Sequence, residues 1–162
     1  MPQYLTIAVY IFAALSTGMM AGIYFIFSNT VMPALAGMAK APAAEAMQLI
    51  NRIILNPLFF IFFMGAALAS VAIVTITLFG AGNSSGYIGL CAALLLITTF
   101  ISTMAFNVPL NNKLDEADLN TEVAKEIWAH YLDKWVKWNH FRTLLSFVSA
   151  ILFSVELMRI AL

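Results

Sequence analysis

The residues best suited to chemistry lie on one helical stripe in the last third of the chain. In chain order the stripe comprises Trp128, Tyr131, Trp135, Trp138, Asn139 and Arg142. These positions are 3, 4, 3, 1 and 3 residues apart, so at about 100° per residue they share an arc of roughly 100°. A guanidinium with asparagine amides can stabilise an enolate or phenolate as its charge develops, and a tyrosine or histidine can move the proton. We therefore predict Arg142, His140 and Tyr131 as catalytic residues.

Further amides and hydroxyls, and one guanidinium, stand next to the apolar stretches of the chain. They are Ser28, Asn29, Asn51, Arg52, Asn56, Asn107 and Asn111. If the four apolar stretches form an up-down bundle, these residues and the stripe lie at the same end of it. Such a polar mouth with aromatic walls suits a small lipophilic aromatic molecule carrying carbonyl or phenol oxygens, or a lipid. The predicted substrate-binding residues are Ser28, Asn56, Asn107, Asn111, Trp135, Trp138 and Asn139.

The composition indicates which solvent surrounds these residues. Of the 162 residues, 62% are apolar and 10% are charged, whereas about a quarter are charged in soluble domains. So little charge disfavours disorder, a coiled coil and nucleic-acid binding. Because the formal net charge is zero, no bulk attraction to a charged partner is expected. The chain is predicted to be an integral membrane protein.

The positions of the charges divide the chain into spans. Residues 1–39, 53–112 and 143–155 contain no charged side chain, and about 20 helical residues cross a hydrocarbon core of roughly 30 Å. The predicted spans are about 4–27, 57–79, 87–106 and 142–161, with a short turn over residues 80–86. The fold class is all-α: one domain over residues 1–162, an integral membrane up-down four-helix bundle. An additional amphipathic helix from about residue 120 runs into the fourth span.

Small residues in the first span form the motif Gly18-Met-Met-Ala-Gly22. Small residues four positions apart let helix backbones approach closely. Tight packing inside the bundle is the expected use of the motif. A ligand slot beside the glycines and a homo-oligomer through the GxxxG face are the alternatives.

Several other chemistries lack the residues that they require. The chain has neither an HExxH motif nor an inward-facing Glu-x-x-His pair, so no metal site is predicted. It also has no glycine-rich phosphate loop, and no histidine lies inside a span to hold a haem. No cofactor is predicted. Cys91, the single cysteine, is expected to be an inert buried thiol.

Two motifs resemble those of a known family. They are Asn107-Val-Pro-Leu-Asn111 and Trp135-Val-Lys-Trp-Asn-His-Phe-Arg-Thr143; Phe25-Ile-Phe-Ser28 and Asn56-Pro-Leu58 add to the likeness. With them the chain resembles the anthrone-oxygenase-like family of small membrane proteins, most bacterial members of which are classified only as a domain of unknown function. The resemblance covers nearly the whole chain. The matching positions are Asn107, Pro109, Asn111, Trp135, Asn139, His140 and Arg142.

The resemblance implies four transmembrane helices and, by analogy with fungal relatives, oxidation of an anthrone to an anthraquinone by O₂ without an obvious cofactor. Because one fold can host several activities, two other functions stay open. One is a non-catalytic protein that binds a quinone or a lipid. The other is a structural subunit of a larger membrane complex.

The basic residues predict an orientation. Seven of the eight Lys and Arg residues lie in the connections 28–56 and 107–141 or at their boundary. Positive residues concentrate in cytoplasmic loops. We expect a multi-pass protein of the bacterial inner membrane, with these connections in the cytoplasm and the termini outside.

Overall fold

The computed structural model describes residues 2–79, 86–119 and 121–162, which contain helices and no strand. The predicted turn at residues 80–86 falls almost entirely outside the described residues. The α-helices are α1 (Gln3–Ile26), α2 (Met32–Ala36), α3 (Lys40–Ile53), α4 (Pro57–Phe79), α5 (Tyr87–Ser102), α6 (Val108–Asp115) and α7 (Glu122–Ala161). A π-helical turn, Phe27–Val31, joins α1 to α2, and a second, Thr103–Asn107, joins α5 to α6.

Four helices are long and apolar enough to cross a membrane: Gln3–Ala36, Pro57–Phe79, Tyr87–Asp115 and Glu122–Ala161. Helices α4 and α7 each contact both α1 and α5, so the four surround one common axis. Helix α1 begins where α7 ends, since Gln3 Nε2 donates to the Ile160 carbonyl at 3.1 Å. The predicted all-α membrane bundle is confirmed.

Two of the helices continue beyond the spans predicted from hydropathy. Helices α1 and α5 pass through their π-turns into α2 and α6, past the predicted ends near residues 27 and 106. In each case a proline, Pro33 or Pro109, follows the π-turn by two residues. A proline ring inside an α-helix clashes with the carbonyl four residues earlier. The extra residue of a π-turn rearranges the preceding turn, which accommodates the proline ring, and the helix continues past it.

The extensions build a second layer, which we call the cap: α2, α3, α6 and residues 122–141 of α7. Its core contains Met32, Leu35, Ala43, Ala44, Met47, Leu114, Trp128, Tyr131 and Trp135. Helix α7 has 40 residues, about 60 Å at 1.5 Å per residue, or twice the hydrocarbon thickness. Its first half therefore lies outside the apolar core. Thr121 caps this helix by accepting a hydrogen bond from Ala124 N at 3.3 Å.

The predicted stripe faces inward along α7. Trp128, Tyr131, Trp135, Asn139 and Arg142 are all buried. The opposite arc is exposed and comprises Glu126, His130, Asp133, Lys134 and Lys137. Trp138 departs from the stripe: it is half-buried and stacks on Phe106, with ring centroids 3.6 Å apart.

The glycines of the Gly18-Met-Met-Ala-Gly22 motif do not pack where the sequence predicts. Gly18 and Gly22 lie on the outer surface of α1, and a Cβ built on either meets nothing within 4 Å. The expectation that this motif packs inside the bundle is therefore wrong for the single chain. Close packing occurs at Gly89 instead, where a Cβ would lie 2.7 Å from Tyr10 Cζ. Cys91 is also exposed rather than buried, because it lies on the outer face of α5.

Replacing Gly89 by alanine should destabilise the bundle. The new methyl group overlaps the buried Tyr10 ring, and overpacking of this kind costs about 1–3 kcal/mol. Gly18→Ala is the matched control, because it adds a methyl group in open space and gains helix propensity. Thermal unfolding in detergent should give a lower Tm for Gly89→Ala and an unchanged or higher Tm for Gly18→Ala. Equal Tm values for the two variants would contradict this packing.

Candidate functional site

A cavity of about 220 Å³ lies where the bundle meets the cap. This volume is somewhat below the roughly 300–1,000 Å³ of typical ligand pockets. Its apolar wall contains Ile23, Phe27, Ile54, Leu55, Phe59, Phe60, Phe63, Met104 and Val108. The remaining lining residues are Tyr24, Asn51, Arg52, Thr103, Asn111, Asn112, Asp115, Trp135, Asn139 and Arg142. The cavity thus combines an aromatic wall with amides and charged groups.

Arg142 is the central polar residue of the cavity and is only 4% exposed. Its Nη2 donates to Asn139 Oδ1 at 2.6 Å and its Nη1 donates to Thr103 Oγ1 at 3.4 Å. The guanidinium carbon lies 4.4 Å from the centroid of the Tyr24 ring and 5.4 Å from that of Trp135. Within the described part of the chain, no carboxylate lies within 4.0 Å of this cation. Aromatic faces and neutral oxygens therefore stabilise its charge.

Asn139 connects Arg142 to the first π-turn. Its Nδ2 donates to Ser28 Oγ at 2.5 Å and to the Tyr24 carbonyl at 2.6 Å, while its Oδ1 accepts from Arg142. The side chain is fully buried. Both ends of one amide are thus used, and the position of the guanidinium depends on the π-turn of α1.

Three buried polar atoms beside this network have no hydrogen-bond partner among the residues that the structure describes. Two are donors, Arg142 Nε and Trp135 Nε1, on side chains that line the cavity. The third is an acceptor, Asn107 Oδ1, whose amide Nδ2 donates to the Trp135 carbonyl at 3.2 Å. Buried polar atoms are normally paired. Two unpaired donors on side chains that line a cavity are chemically suited to a ligand oxygen that accepts hydrogen bonds.

Tyr131 holds the side-chain amides of two asparagines in place from behind the cavity wall. Its hydroxyl donates to Asn111 Oδ1 at 2.9 Å and accepts from Asn51 Nδ2 at 3.4 Å. Both asparagines line the cavity. Tyr131 belongs to the part of α7 outside the apolar core, and burial raises the pKa of its phenol. The hydroxyl therefore stays protonated near neutral pH and positions the amides as a hydrogen-bond donor.

The structure brings together some of the predicted site residues and not others. Those that line the cavity are Asn111, Trp135, Asn139 and Arg142. Those that support it from behind through hydrogen bonds are Ser28, Asn107 and Tyr131. Those that lie away from it are Asn56, Trp138 and His140. Asn56 caps α4 by accepting from Phe59 N at 3.1 Å, Trp138 stacks on Phe106, and His140 is exposed.

Several lining residues were not predicted from the sequence, above all Asp115, which pairs with Arg52. Arg52 Nε donates to Asp115 Oδ1 at 2.7 Å. The signal for Asp115 was present, since Val108, Asn111, Asn112 and Asp115 follow the i, i+3, i+4, i+7 spacing of one helix face. It was missed because the third span was ended at residue 106, before Pro109.

Asn139→Ala should destabilise the protein strongly. Truncation leaves the Ser28 hydroxyl and Arg142 Nη2 without this partner, and each unsatisfied buried group costs about 1–3 kcal/mol, or more when it is charged. Asn29→Ala is the matched control, because Asn29 lies in the same π-turn as Ser28, the partner of Asn139, and its side chain is exposed. We expect a Tm several degrees lower for Asn139→Ala and little change for Asn29→Ala, measured by thermal unfolding in detergent. A Tm of Asn139→Ala equal to that of the control would refute the structural role of this amide.

Comparison with models of known protein families assigns the chain to a family. The family model of anthrone oxygenase matches residues 57–152, which include α4, α5, α6 and the stripe on α7. Comparisons with curated proteins and with solved structures each gave no match. Because the family model covers more than half of the chain, and the resemblance of its motifs points the same way, this multi-pass membrane protein belongs to the anthrone oxygenase family.

Proposed function

We propose that the protein is a membrane oxygenase that uses O₂ to oxidise a lipophilic aromatic ketone of the anthrone type in the cavity beside Arg142. The observation that carries the proposal is the buried Arg142 guanidinium, which has no carboxylate partner in residues 2–79, 86–119 and 121–162, together with the donors Arg142 Nε and Trp135 Nε1, which are unpaired within the same ranges. A buried unpaired cation is costly, and charged groups inside membrane proteins usually serve function. A substrate whose oxygen becomes negative in the reaction would use this charge.

The reaction fits the chemistry of the cavity. Loss of a methylene proton from the anthrone gives an enolate, whose negative charge lies mainly on the former carbonyl oxygen. Hydrogen-bond donors aimed at such an oxygen typically account for about 2.7–4 kcal/mol of transition-state stabilisation each. The enolate carbon then forms a bond with O₂. Loss of water from the resulting hydroperoxide leaves a new carbonyl group, so one anthrone and one O₂ give one anthraquinone and one water.

The apolar wall fits a flat ring system. Phe59, Phe63 and Phe100 form a stacked series, with centroids 5.4 Å and 5.2 Å apart, and the first two line the cavity. Leu55 and Phe60 also line it and are exposed on the outer surface. We infer that the substrate enters sideways from the bilayer between such residues, because a polycyclic aromatic molecule partitions into lipid.

Replacing Arg142 by methionine separates a catalytic role from a structural one. The change leaves Asn139 Oδ1 without its donor, which costs about 1–3 kcal/mol, but it also removes the desolvation cost of a buried cation, which is several kcal/mol. The variant should therefore unfold within a few degrees of the wild type, while anthrone-dependent O₂ consumption falls by at least about 100-fold. Lys137→Met is the control, because Lys137 is exposed on the opposite arc. We expect it to retain full activity.

Two results would contradict this proposal. If the wild-type protein consumes O₂ with an anthrone no faster than uncatalysed autoxidation, the oxygenase function fails. Saturable binding of a quinone or lipid without turnover would then support the binding-protein alternative. If Arg142→Met retains its activity, the cavity is not where the reaction occurs.

We also propose that the cap faces the cytoplasm. The cap and its boundary with the bundle contain Lys40, Arg52, Lys113, Lys125, Lys134, Lys137 and Arg142, seven of the eight basic residues. The opposite end contains only Arg159 among the basic residues. Positive residues are retained on the cytoplasmic side during insertion.

Cysteine labelling tests this orientation. In a Cys91→Ser background, Glu126→Cys introduces an exposed thiol in the cap and Tyr4→Cys introduces one at the opposite end. A membrane-impermeant maleimide added to intact bacterial spheroplasts should label Tyr4→Cys and leave Glu126→Cys unlabelled. Inverted membrane vesicles should give the reverse pattern. Labelling of Glu126→Cys in intact spheroplasts would overturn the orientation.

A further inference from the structure

We propose that Asp115 is the general base of this site, removing the methylene proton from the substrate and releasing it to water. This inference rests on the proposed function, because it names the group that accepts the proton in that reaction. The resemblance of motifs does not include Asp115, which lies four residues beyond Asn111 on α6. The assignment comes from the described groups around the cavity and from where each of them can send a proton.

Elimination among the titratable lining residues leaves one base. The described ones are Tyr24, Arg52, Asp115 and Arg142. Neither arginine can accept a proton, since a guanidinium has no free lone pair for it. A neutral tyrosine must lose its own proton before it can accept another, and the Tyr24 ring lies against the Arg142 guanidinium. Asp115 is the only carboxylate among the described lining residues.

The predicted proton carriers do not replace it. The His140 side chain is exposed and does not line the cavity. The Tyr131 hydroxyl lies behind the cavity wall and donates a hydrogen bond to Asn111 Oδ1. Neither group therefore offers a free acceptor to a molecule inside the cavity.

The surroundings of Asp115 suit a base that must lose its proton again after each reaction. Its Oδ1 accepts from Arg52 Nε at 2.7 Å, which holds the carboxylate between α6 and α3. Its Oδ2 accepts no hydrogen bond from the described part of the chain. The side chain lines the cavity and is 43% exposed, so one carboxyl group contacts both the ligand space and the aqueous side. A proton taken from the substrate can leave to water without crossing the apolar core.

In this reaction Asp115 acts at the methylene carbon of the substrate, and Arg142 acts at its carbonyl oxygen. Asp115 accepts the proton as the C–H bond breaks, and the electron pair of that bond moves into the ring system and onto the oxygen beside Arg142. Formation of the C–O bond with O₂ uses this electron pair and gives a peroxide anion. The protonated Asp115, or water, returns a proton to it. Loss of water from the hydroperoxide completes the quinone, so that neither protons nor electrons are left over.

The experiment compares Asp115→Asn with Glu116→Gln in the purified full-length protein reconstituted in lipid nanodiscs. Glu116 is the adjacent exposed carboxylate and does not line the cavity, so Glu116→Gln should retain wild-type turnover. Removal of a general base typically lowers the rate by about 10²–10⁴-fold. We therefore expect kcat of Asp115→Asn to fall at least 100-fold with an anthrone and O₂, and Asp115→Glu to retain more activity than Asp115→Asn.

Two further readouts separate a base from a merely structural residue. Anthraquinone has no methylene proton, so its binding to Asp115→Asn should stay within about twofold of the wild type, as measured by titration. With an anthrone deuterated at the methylene carbon, the isotope effect on kcat should be larger for Asp115→Asn than for the wild type, because proton removal becomes the slow step.

The inference and the proposed function fail in different ways. If the wild type shows no anthrone oxidation, the proposed function fails, and this inference fails with it. If the wild type is active, Arg142→Met is inactive and Asp115→Asn keeps turnover within threefold of the wild type, only the base assignment is overturned. An equal loss of turnover and of anthraquinone binding in Asp115→Asn would also overturn it, because the residue would then serve to hold the ligand.

Discussion

The burial of the Arg142 guanidinium is the constraint on which the rest of the site depends. Moving a cation out of water costs several kcal/mol even after relaxation, and the described part of the chain provides no carboxylate against it. Its partners are the Asn139 and Thr103 oxygens and the faces of Tyr24 and Trp135. Because each partner is neutral, the positive charge is shielded from solvent without being cancelled. The field of the guanidinium therefore remains available to a ligand.

The two π-turns explain how the fold delivers these neutral partners. The first contains Ser28, which accepts from Asn139, and the second contains Thr103, which accepts from Arg142. Irregular turns of this kind occur often at functional sites. Each also lets its helix pass a proline and continue into the cap. The same local irregularity thus places a hydroxyl beside Arg142 and extends a membrane helix into the layer that covers the cavity.

Much of the fold was predictable because the surrounding lipid imposes a simple rule. Long uncharged stretches must be helical, since backbone polar groups need partners inside the bilayer. The stripe on α7 was predictable for a different reason: its first half is flanked by water, so a charged arc and an aromatic arc can be distinguished. Within the apolar spans that contrast disappears. Whether Gly18 or Cys91 faces inward is not encoded in hydropathy, because both faces of such a helix are apolar.

The site was predicted less completely, because it depends on the register between helices. In the sequence, Asn56 precedes one predicted span and Asn111 follows another at the same end of the bundle, yet Asn56 caps α4 and Asn111 lines the cavity. Sequence spacing within one helix cannot distinguish these outcomes. Asp115 was missed for a related reason, since Pro109 indicates a helix end unless a preceding π-turn accommodates it. Only the three-dimensional path of α6 brings this carboxylate to the cavity that contains Arg142.

The position of the cavity at the boundary between bundle and cap resolves a conflict in the proposed reaction. An anthrone-type substrate reaches the protein most readily through lipid, whereas the proposed base is a charged carboxylate, which is stable only where it keeps contact with water or a polar partner. A site deep in the bundle would admit the substrate and disfavour the carboxylate, and a site in the cap would do the reverse. Phe60 on the apolar side and Asp115 on the aqueous side line one cavity. Because α7 is twice as long as a membrane span, Arg142 stands at the level where both requirements are met.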